Sequence, residues 1–317
     1  MSKYKIATML PSATEIVFGL GLGDMIIGTS HECDFPEAAK GLPTLTSASI
    51  DSTKSSREIH EQVNQLGLSA ISLYNVDEEL MVELKPDIII TQDACDVCAV
   101  NFGEVERVVQ KTFQNNCRII ALSPSKLDEI FQDIRNVAKA LDVEGKGECY
   151  IAGLTARMDA LRIKSEPLSE QPRTAHVEWL DPLITGAHWM YEMIELCGGT
   201  PVASEKGKAS EIFDAEQFIQ LDPEVIVIAP CGFPIPQIMR EANDFIHNLP
   251  GGRKLSAVRN NRVYVVDGNH YFNRPGPRIV DSAEILAYCI HPDLFPLQDS
   301  YRDSVFLLDV NKPVVPR

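Results

Sequence analysis

One pattern occurs twice in this chain, and the repeat constrains the fold more than any other feature of the sequence. The segments 79–90 and 216–227 each combine a short helical stretch, a Leu-x-Pro-acid turn and a continuous apolar run. Such runs are typical of parallel strands that are covered on both faces. The repeat therefore predicts two α/β lobes of similar construction.

The other apolar runs and periodic stretches complete these lobes. Strands are predicted over 6–9, 25–28, 87–91, 118–122, 175–179, 225–229 and 262–266. Helices are predicted over 188–197, 215–221 and 279–290, and residues 12–15 have the spacing of a capping box at the start of an earlier helix. Apolar residues keep helical spacing from 127 to 163, which predicts a long helix with an interruption near Gly145.

The predicted fold class is α/β, with two Rossmann-like lobes joined by a long linking helix and a ligand cleft between the lobes. We expect an N-terminal lobe over 1–125, a linking helix over 126–165 and a C-terminal lobe over 166–317. Ligands of parallel α/β sheets bind outside the carboxyl ends of the strands. The loops that follow the predicted strands are therefore the expected place for a site.

These loops are rich in aromatic, histidine and acidic side chains. Large aromatic side chains in exposed loops supply flat apolar contact area, and together the loops predict a cleft for a bulky, partly flat ligand. The predicted ligand-binding residues are His31, Glu32, Cys33, Asp34, Asp93, Cys95, Asp96, Trp179, His188, Trp189, His270, Tyr271, Phe272 and Arg274.

The net charge and the cysteine pattern argue against several classes of protein. The net charge of −16 argues against a nucleic-acid or anionic-membrane partner, since both require a basic surface. The eight cysteines are scattered, which is unlike a disulfide framework. The N-terminal residues do not have the pattern of a signal peptide, which predicts a cytoplasmic protein, or an exported one whose leader is missing from this sequence.

Two interpretations of the polar loops stay open from the residues alone. Cys95 and Cys98 could bind a metal together with His31 and Cys33 if the two loops meet, which would allow a metal-handling protein or a metalloenzyme. The sequence contains no phosphate-binding glycine loop, nucleophile elbow or metalloprotease motif. We therefore expect a binding protein and no enzyme.

The chain resembles the substrate-binding proteins of metal-chelate ABC importers, the helical-backbone class with the class III periplasmic-binding-protein fold. The resemblance runs nearly end to end. Its motifs are LPSATE at 10–15, GTSHECDFP at 28–36, LKPDI at 84–88, TQDACDVCA at 91–99, EWLDP at 178–182 and YFNRPGPR at 271–278.

This resemblance implies binding of cobalamin or another corrinoid as the ligand, with haem, a siderophore or a metal ion as alternatives, and no catalytic cofactor. It also implies that one acidic residue of each lobe contacts an ABC permease dimer, and Glu79 and Glu216 occupy the matching positions. His31 or His270 would supply an axial nitrogen to a bound metal, since neutral imidazole is a common ligand. The protein is expected to be a monomer that delivers its ligand to an ABC transporter or to a cytoplasmic user.

Overall fold

The N-terminal lobe is built on a parallel sheet. The computed structural model describes residues 4–68, 74–92 and 117–310. The strands of this lobe are β1 (Ile6–Thr8), β2 (Ile26–Thr29), β3 (Thr46–Ala48), β4 (Tyr74–Val76), β5 (Ile88–Gln92) and β6 (Arg118–Leu122). The main sheet has the order β2-β1-β5-β6 with every pair parallel, while β3 and β4 form a separate antiparallel pair. The helices are α1 (Pro11–Gly19), α2 (Ser56–Leu68) and α3 (Glu78–Leu84).

Two antiparallel helices of the chain's middle connect this lobe to the second one. They are α4 (Leu127–Ala140) and α5 (Glu144–Ser165). The predicted interruption lies just ahead of Gly145, where Asp142 adopts a positive φ of 57°. The predicted division of the chain at residues 125 and 165 stays a prediction.

The C-terminal lobe has a mixed sheet with a parallel centre. Its strands are β7 (Arg173–Trp179), β8 (Ile184–Thr185), β9 (Thr200–Pro201), β10 (Glu211–Ile212), β11 (Val225–Ile228), β12 (Val263–Val266) and β13 (Val305–Leu307). The order is β10-β8-β7-β11-β12-β13, and β7, β11 and β12 are parallel. The helices are α6 (Met190–Leu196), α7 (Ala215–Leu221), α8 (Ile235–Asn248), α9 (Ser256–Arg259) and α10 (Ile279–Ile290). The predicted two-lobed α/β fold class is confirmed.

The sequence repeat has a structural counterpart in α3 and α7. Asp77 caps α3 by accepting a hydrogen bond from the Leu80 amide, and Asp214 caps α7 by accepting one from the Gln217 amide. Each helix ends at a residue with positive φ, Lys85 or Asp222, which is followed by a proline and a buried strand. The repeated sequence pattern thus forms the same helix, turn and strand in both lobes.

Alternation along the central strands gives each sheet two buried faces. Ile88 and Ile90 of β5 pack into the same apolar cluster as Val225 and Val227 of β11, together with helices α1, α4, α5, α6 and α10. We call this cluster the shared core, because it contains side chains from both lobes. Ile89 points the other way, into a smaller cluster of the N-terminal lobe.

The predicted capping box at residues 12–15 is wrong. Helix α1 begins at Pro11, and no side chain caps its amino end. Proline is favoured in the first helical turn because its missing N–H would have no partner there. Glu15 is left without a capping role, and its carboxylate forms an ion pair with the other lobe.

Candidate functional site

The loops at the carboxyl ends of β2 and β12 come from different lobes and meet. Asp34, in the loop after β2, accepts a hydrogen bond from Arg274 Nη1 at 2.5 Å, and Arg274 Nη2 lies 3.2 Å from its other oxygen. Asn269 Nδ2 donates to Asp34 at 3.0 Å, and Arg274 Nη2 donates to the Glu32 carbonyl. The structure therefore brings together three predicted site residues, Glu32, Asp34 and Arg274, across the lobe boundary.

His270 sits between two carboxylates, one from each lobe. Its Nδ1 lies 2.7 Å from Asp267 Oδ2 and its Nε2 lies 3.3 Å from Asp34 Oδ2. The hydrogen bonds to Asp267 and then to Asp34 raise the pKa of His270 to about 9. Burial works to raise the pKa of Asp34, but the hydrogen bonds from His270 and Arg274 outweigh it and hold that pKa well below its usual range. Both ring nitrogens of His270 are thus engaged by carboxylates in this structure, and its axial role toward a bound metal stays a prediction.

The contacts of His270 with two carboxylates predict a raised pKa that can be measured. An NMR titration of its imidazole signals is expected to give a pKa of about 9 instead of 6.5. Because the pKa is raised on folding, the stabilising contact is fully present below pH 6.5 and is lost as the pH rises through 9. Asp34→Asn should lower the His270 pKa, whereas Asp159→Asn, in an exposed pair with Arg162 within helix α5, should leave it unchanged. A wild-type pKa near 6.5 would contradict the ion-pair geometry.

A second ion pair also joins the two lobes, and it is almost fully buried. Arg278 Nη2 donates to Glu15 Oε1 at 2.6 Å, and the Glu15 side chain is 2% exposed. The Arg278 guanidinium also lies 4.2 Å from the centre of the Phe35 ring and 5.7 Å from that of Tyr271. Burial raises the pKa of Glu15, while the hydrogen bond from Arg278 works against that rise.

The sequence interpretation did not single out Glu15, Phe35, Asp267, Asn269 or Arg278 as site residues. Glu15 was assigned to a helix cap, and Arg278 was quoted only as part of a motif. The available signal was a carboxylate inside an otherwise apolar first helix, since buried charges require a partner. Tyr271, which was predicted, is half-buried with its ring edge-on to Tyr301.

A second set of contacts across the lobe boundary is made by residues 51–57, which we call the strap. Trp179 Nε1, at the carboxyl end of β7, donates to the Ser56 carbonyl at 3.2 Å. Glu241 of α8 accepts hydrogen bonds from the Ser56 amide at 3.0 Å and from its hydroxyl at 2.7 Å. Arg57 forms an exposed ion pair with Asp181. Trp179 therefore lies at the lobe boundary, and its role in ligand binding stays a prediction.

Two other predicted aromatic residues, Trp189 and Phe272, contact side chains of the C-terminal lobe. Phe272 is fully buried and packs against His176, and its role in ligand binding stays a prediction. A positive φ of 67° accompanies this inward orientation. Trp189 is partly buried against the shared core, donates from Nε1 to the Phe272 carbonyl at 2.9 Å, and stacks on His188.

Two of the four residues in the predicted metal cluster, His31 and Cys33, lie in the described part of the chain, and both have hydrogen-bond partners there. Cys33 is buried and its thiol receives a hydrogen bond from Thr14, and burial raises its pKa to about 11, so it is a neutral thiol. His31 Nδ1 contacts Thr46 Oγ1 at 2.7 Å, and burial lowers the His31 pKa, which keeps the ring neutral. Within residues 4–68, 74–92 and 117–310, no three His, Cys, Asp or Glu side chains could hold a metal ion together. The remaining predictions, Asp93, Cys95, Asp96 and Cys98, lie outside the described residues.

Two defined cavities lie away from these loops. One of about 280 Å³ lies between α4 and α5 and is lined mainly by polar side chains. Another of about 220 Å³ lies beside residues 203–213. Neither borders the ion pairs or the strap.

The two predicted docking carboxylates occupy equivalent positions. Glu79 and Glu216 are both exposed and both lie in the first turn of their helices, α3 and α7. A role in docking stays a prediction. Among the helices of the described residues, none is both long enough and apolar enough to span a bilayer.

Comparison with known proteins gives a consistent set of similarities. A family described as "Periplasmic binding protein" matches residues 6–269. The chain is 23% identical to an uncharacterized ABC transporter substrate-binding lipoprotein, YvrC, of Bacillus subtilis, over 92% of this chain and 81% of that one. It is 25% identical to a vitamin B12-binding protein of Vibrio vulnificus, over 88% and 87% of the two chains.

Solved structures share the fold. The periplasmic vitamin B12-binding protein BtuF of Vibrio cholerae aligns with a TM-score of 0.66 at 24% identity, over 91% of this chain and 97% of that one. The periplasmic heme-binding protein RhuT of Roseiflexus sp. RS-1 also aligns with a TM-score of 0.66, at 21% identity, over 91% and 98%. These similarities establish the architecture and leave the ligand open.

The predicted cytoplasmic location is wrong. The similar proteins are a lipoprotein of an ABC transporter and periplasmic binding proteins. These locations indicate an exported protein.

Proposed function

Because this chain belongs to the periplasmic binding protein family, we propose that it binds cobalamin or a related corrinoid between its lobes for an ABC importer. It is a class III solute-binding protein of such an importer. Proteins of this family bind solutes and are not enzymes, so the expectation that the chain has no catalytic activity is confirmed.

One observation favours a corrinoid over haem as the ligand. The cationic side chains in the loops after β2 and β12 already form ion pairs with carboxylates. In residues 30–36 and 267–278, each cationic side chain is paired with a carboxylate, and these side chains are His270, Arg274 and Arg278. Haem carries propionates, and many ferric siderophores are anionic. An anionic ligand would need a free cation in the site or would have to break one of these pairs.

The other side chains of these loops suit a ligand that carries neutral amide groups. The corrin ring carries amide side chains at its edge, whose N–H groups need acceptors. Glu32 lies in the loop after β2, and within the described residues its carboxylate receives no hydrogen bond from another side chain. Phe35, which is 43% exposed, and Tyr271 provide flat apolar surface on opposite sides of the boundary. His31 is the candidate for an axial nitrogen, since its Nδ1 is engaged and its ring is neutral.

A vitamin B12-binding relative supports the same ligand class, and its similarity extends over most of both chains. Docking to a permease through Glu79 and Glu216 is part of this proposal. The two residues are exposed at equivalent places of the two lobes, as an importer with paired binding sites would require.

The test is a calorimetric titration with cyanocobalamin, cobinamide and haemin. We expect both corrinoids to bind at micromolar concentration or tighter, and haemin to bind at least tenfold more weakly. At a free concentration of 100 Kd, the corrinoid should raise the free energy of unfolding by about 2.7 kcal/mol and so raise the Tm. Tight binding of haemin without binding of either corrinoid would overturn the assignment.

Tyr271→Ala serves as the site variant in the same titration. Losing an aromatic contact near the centre of an interface costs about 2 kcal/mol or more, which is a roughly thirtyfold loss of affinity. Tyr191→Ala, on helix α6 outside these loops, is the matched control and should retain the wild-type affinity. Equal affinity of wild type and Tyr271→Ala would place the ligand elsewhere.

A further inference from the structure

We propose that the strap, residues 51–57, is a gate that detaches from the C-terminal lobe to admit the ligand, and that Glu241 holds it closed. This inference rests on the proposed function only in placing the ligand between the lobes. Detachment of the strap can be measured without any ligand.

The strap is held by side chains of the other lobe. Gln237 Nε2 donates to the Ser52 and Lys54 carbonyls, both at 2.9 Å. Ser55 and Glu58 cap the amino end of α2 reciprocally, since the Glu58 amide donates to the Ser55 hydroxyl and the Ser55 amide donates to Glu58. Glu241 accepts from the amide and the hydroxyl of Ser56, and so it ties this capped helix end to the opposite lobe.

The contacts on the two sides of the lobe boundary differ in kind. On the linker side the shared core joins the lobes through buried apolar side chains. On the strap side the contacts of residues 51–57 are polar, and the Arg57–Asp181 pair is largely exposed and therefore weak. Once the strap moves away, water can replace its polar contacts at small cost, whereas water cannot replace apolar burial. Opening is therefore expected at the strap.

The movable part ends within the first turn of α2. Ile59 is 5% exposed and packs in the apolar cluster of the C-terminal lobe with Ile238 and Ala242 of α8. This contact anchors the helix one turn beyond Ser56. Within the strap Ser56 is buried and most of the other residues are exposed, so detachment requires release of Ser56 while Ile59 stays in place.

The strap also lies where a ligand must pass. The indole N–H of Trp179, at the carboxyl end of the central strand β7, is occupied by the Ser56 carbonyl. The carboxyl ends of parallel strands are the ligand-binding edge of such sheets. A ligand that contacts Trp179 therefore competes with the strap for the same surface.

The experiment uses the two indole N–H groups as probe and internal control. The chain has two tryptophans, so its NMR spectrum contains two indole N–H signals. Trp179 donates across the lobe boundary to the strap, whereas Trp189 donates to Phe272 inside the C-terminal lobe. In ligand-free Glu241→Ala, we expect hydrogen exchange at Trp179 to accelerate about tenfold or more, the effect of losing a hydrogen bond to a charged group, with Trp189 unchanged. The matched variant Asp244→Ala removes the same charge from α8 and should change neither signal.

Stopped-flow association of cyanocobalamin with the same proteins tests the gate itself. If only the open form binds, the apparent association rate of Glu241→Ala should rise by the factor seen at Trp179. Unchanged exchange at Trp179, equal acceleration at both tryptophans, or faster exchange with an unchanged association rate would each overturn the gate. If neither protein binds cyanocobalamin, the proposed ligand is wrong, while the indole signals still decide whether the strap detaches.

Discussion

Arg278→Met is expected to lower the free energy of unfolding by about 3–5 kcal/mol, because it leaves a buried carboxylate without its partner. Glu15 Oε1 lies 2.6 Å from Arg278 Nη2, and its side chain is 2% exposed. Arg274 Nη1, at 3.9 Å, is too far away to replace the lost hydrogen bond. Chemical denaturation of the two proteins at pH 7 measures the difference.

The same variant should show a defined pH dependence. Burial already raises the Glu15 pKa from 4.5, and removal of the guanidinium raises it further. With the pKa raised in the folded state, the folded protein binds the proton more tightly, so its stability is highest below pH 4.5 and falls as the pH rises through the folded-state pKa. The loss caused by Arg278→Met should therefore be smaller at pH 4 than at pH 7.

Two further variants separate the charge from the shape of Arg278. Adding Glu15→Gln to Arg278→Met removes the unpaired charge and should restore much of the lost stability. Arg302→Met removes an arginine from an exposed pair with Asp299 and should cost less than about 1 kcal/mol. Equal losses for Arg278→Met and Arg302→Met would show that the buried pair has no special role.

Gly268→Ala is expected to displace the loop that carries Asp267, Asn269 and His270. A Cβ at Gly268 would lie 2.0 Å from the Pro230 carbonyl oxygen and 2.8 Å from the Ala229 carbonyl carbon. Both are backbone atoms, so no side-chain rotation relieves the contact. We expect a loss of about 1–3 kcal/mol or more in the free energy of unfolding and a fall of at least tenfold in corrinoid affinity.

Gly153 provides the matched control. It lies exposed in the middle of α5, and a Cβ there meets no atom within 4 Å. Gly153→Ala should stabilise the protein by about 0.5–1 kcal/mol, since alanine is favoured over glycine in a helix. Thermal unfolding and calorimetry of both variants would check the pair. Wild-type affinity and stability of Gly268→Ala would mean that the loop can move without disturbing the site.

The sequence predicted those helices and strands that are marked by capping residues or apolar patterns within their own segments. Helices α7 and α10 match their predicted bounds, because an N-cap residue or an uninterrupted apolar pattern marks each of them. The parallel strands were found because both faces are covered and their sequences are continuously apolar. Helices α2 and α8 were not predicted. A local capping box of Ser55 and Glu58 precedes α2, but Glu241 of the other lobe binds Ser56 and the buried Ile59 packs in that lobe, so part of the stabilisation of α2 comes from outside its own segment.

The site was predicted to the level of loops and only partly to the level of side chains. The rule that ligands bind at the carboxyl ends of strands located residues 31–34, 179 and 270–274. It could not decide which of Tyr271 and Phe272 faces inward, since adjacent residues in a loop have no fixed alternation. It also could not assign His270 to an ion pair, because Asp34 is distant in sequence and becomes its neighbour only when the lobes meet.

The shared core sets a limit on how this molecule can be recombined with its relatives. Because β5 and β11 bury side chains in the same cluster, each lobe supplies part of the other's interior. A chimaera that exchanges one lobe would have to carry the matching faces of α1, α4, α5, α6 and α10 with it, or it would leave cavities between mismatched surfaces. Helices α3 and α7, which lie wholly within the described residues, by contrast contribute Met81 and Phe218 to the other two apolar clusters and no side chain to the shared core. Either helix could therefore be exchanged with that of a relative while the shared core is left intact, provided that the residue at position 81 or 218 still fills its own cluster.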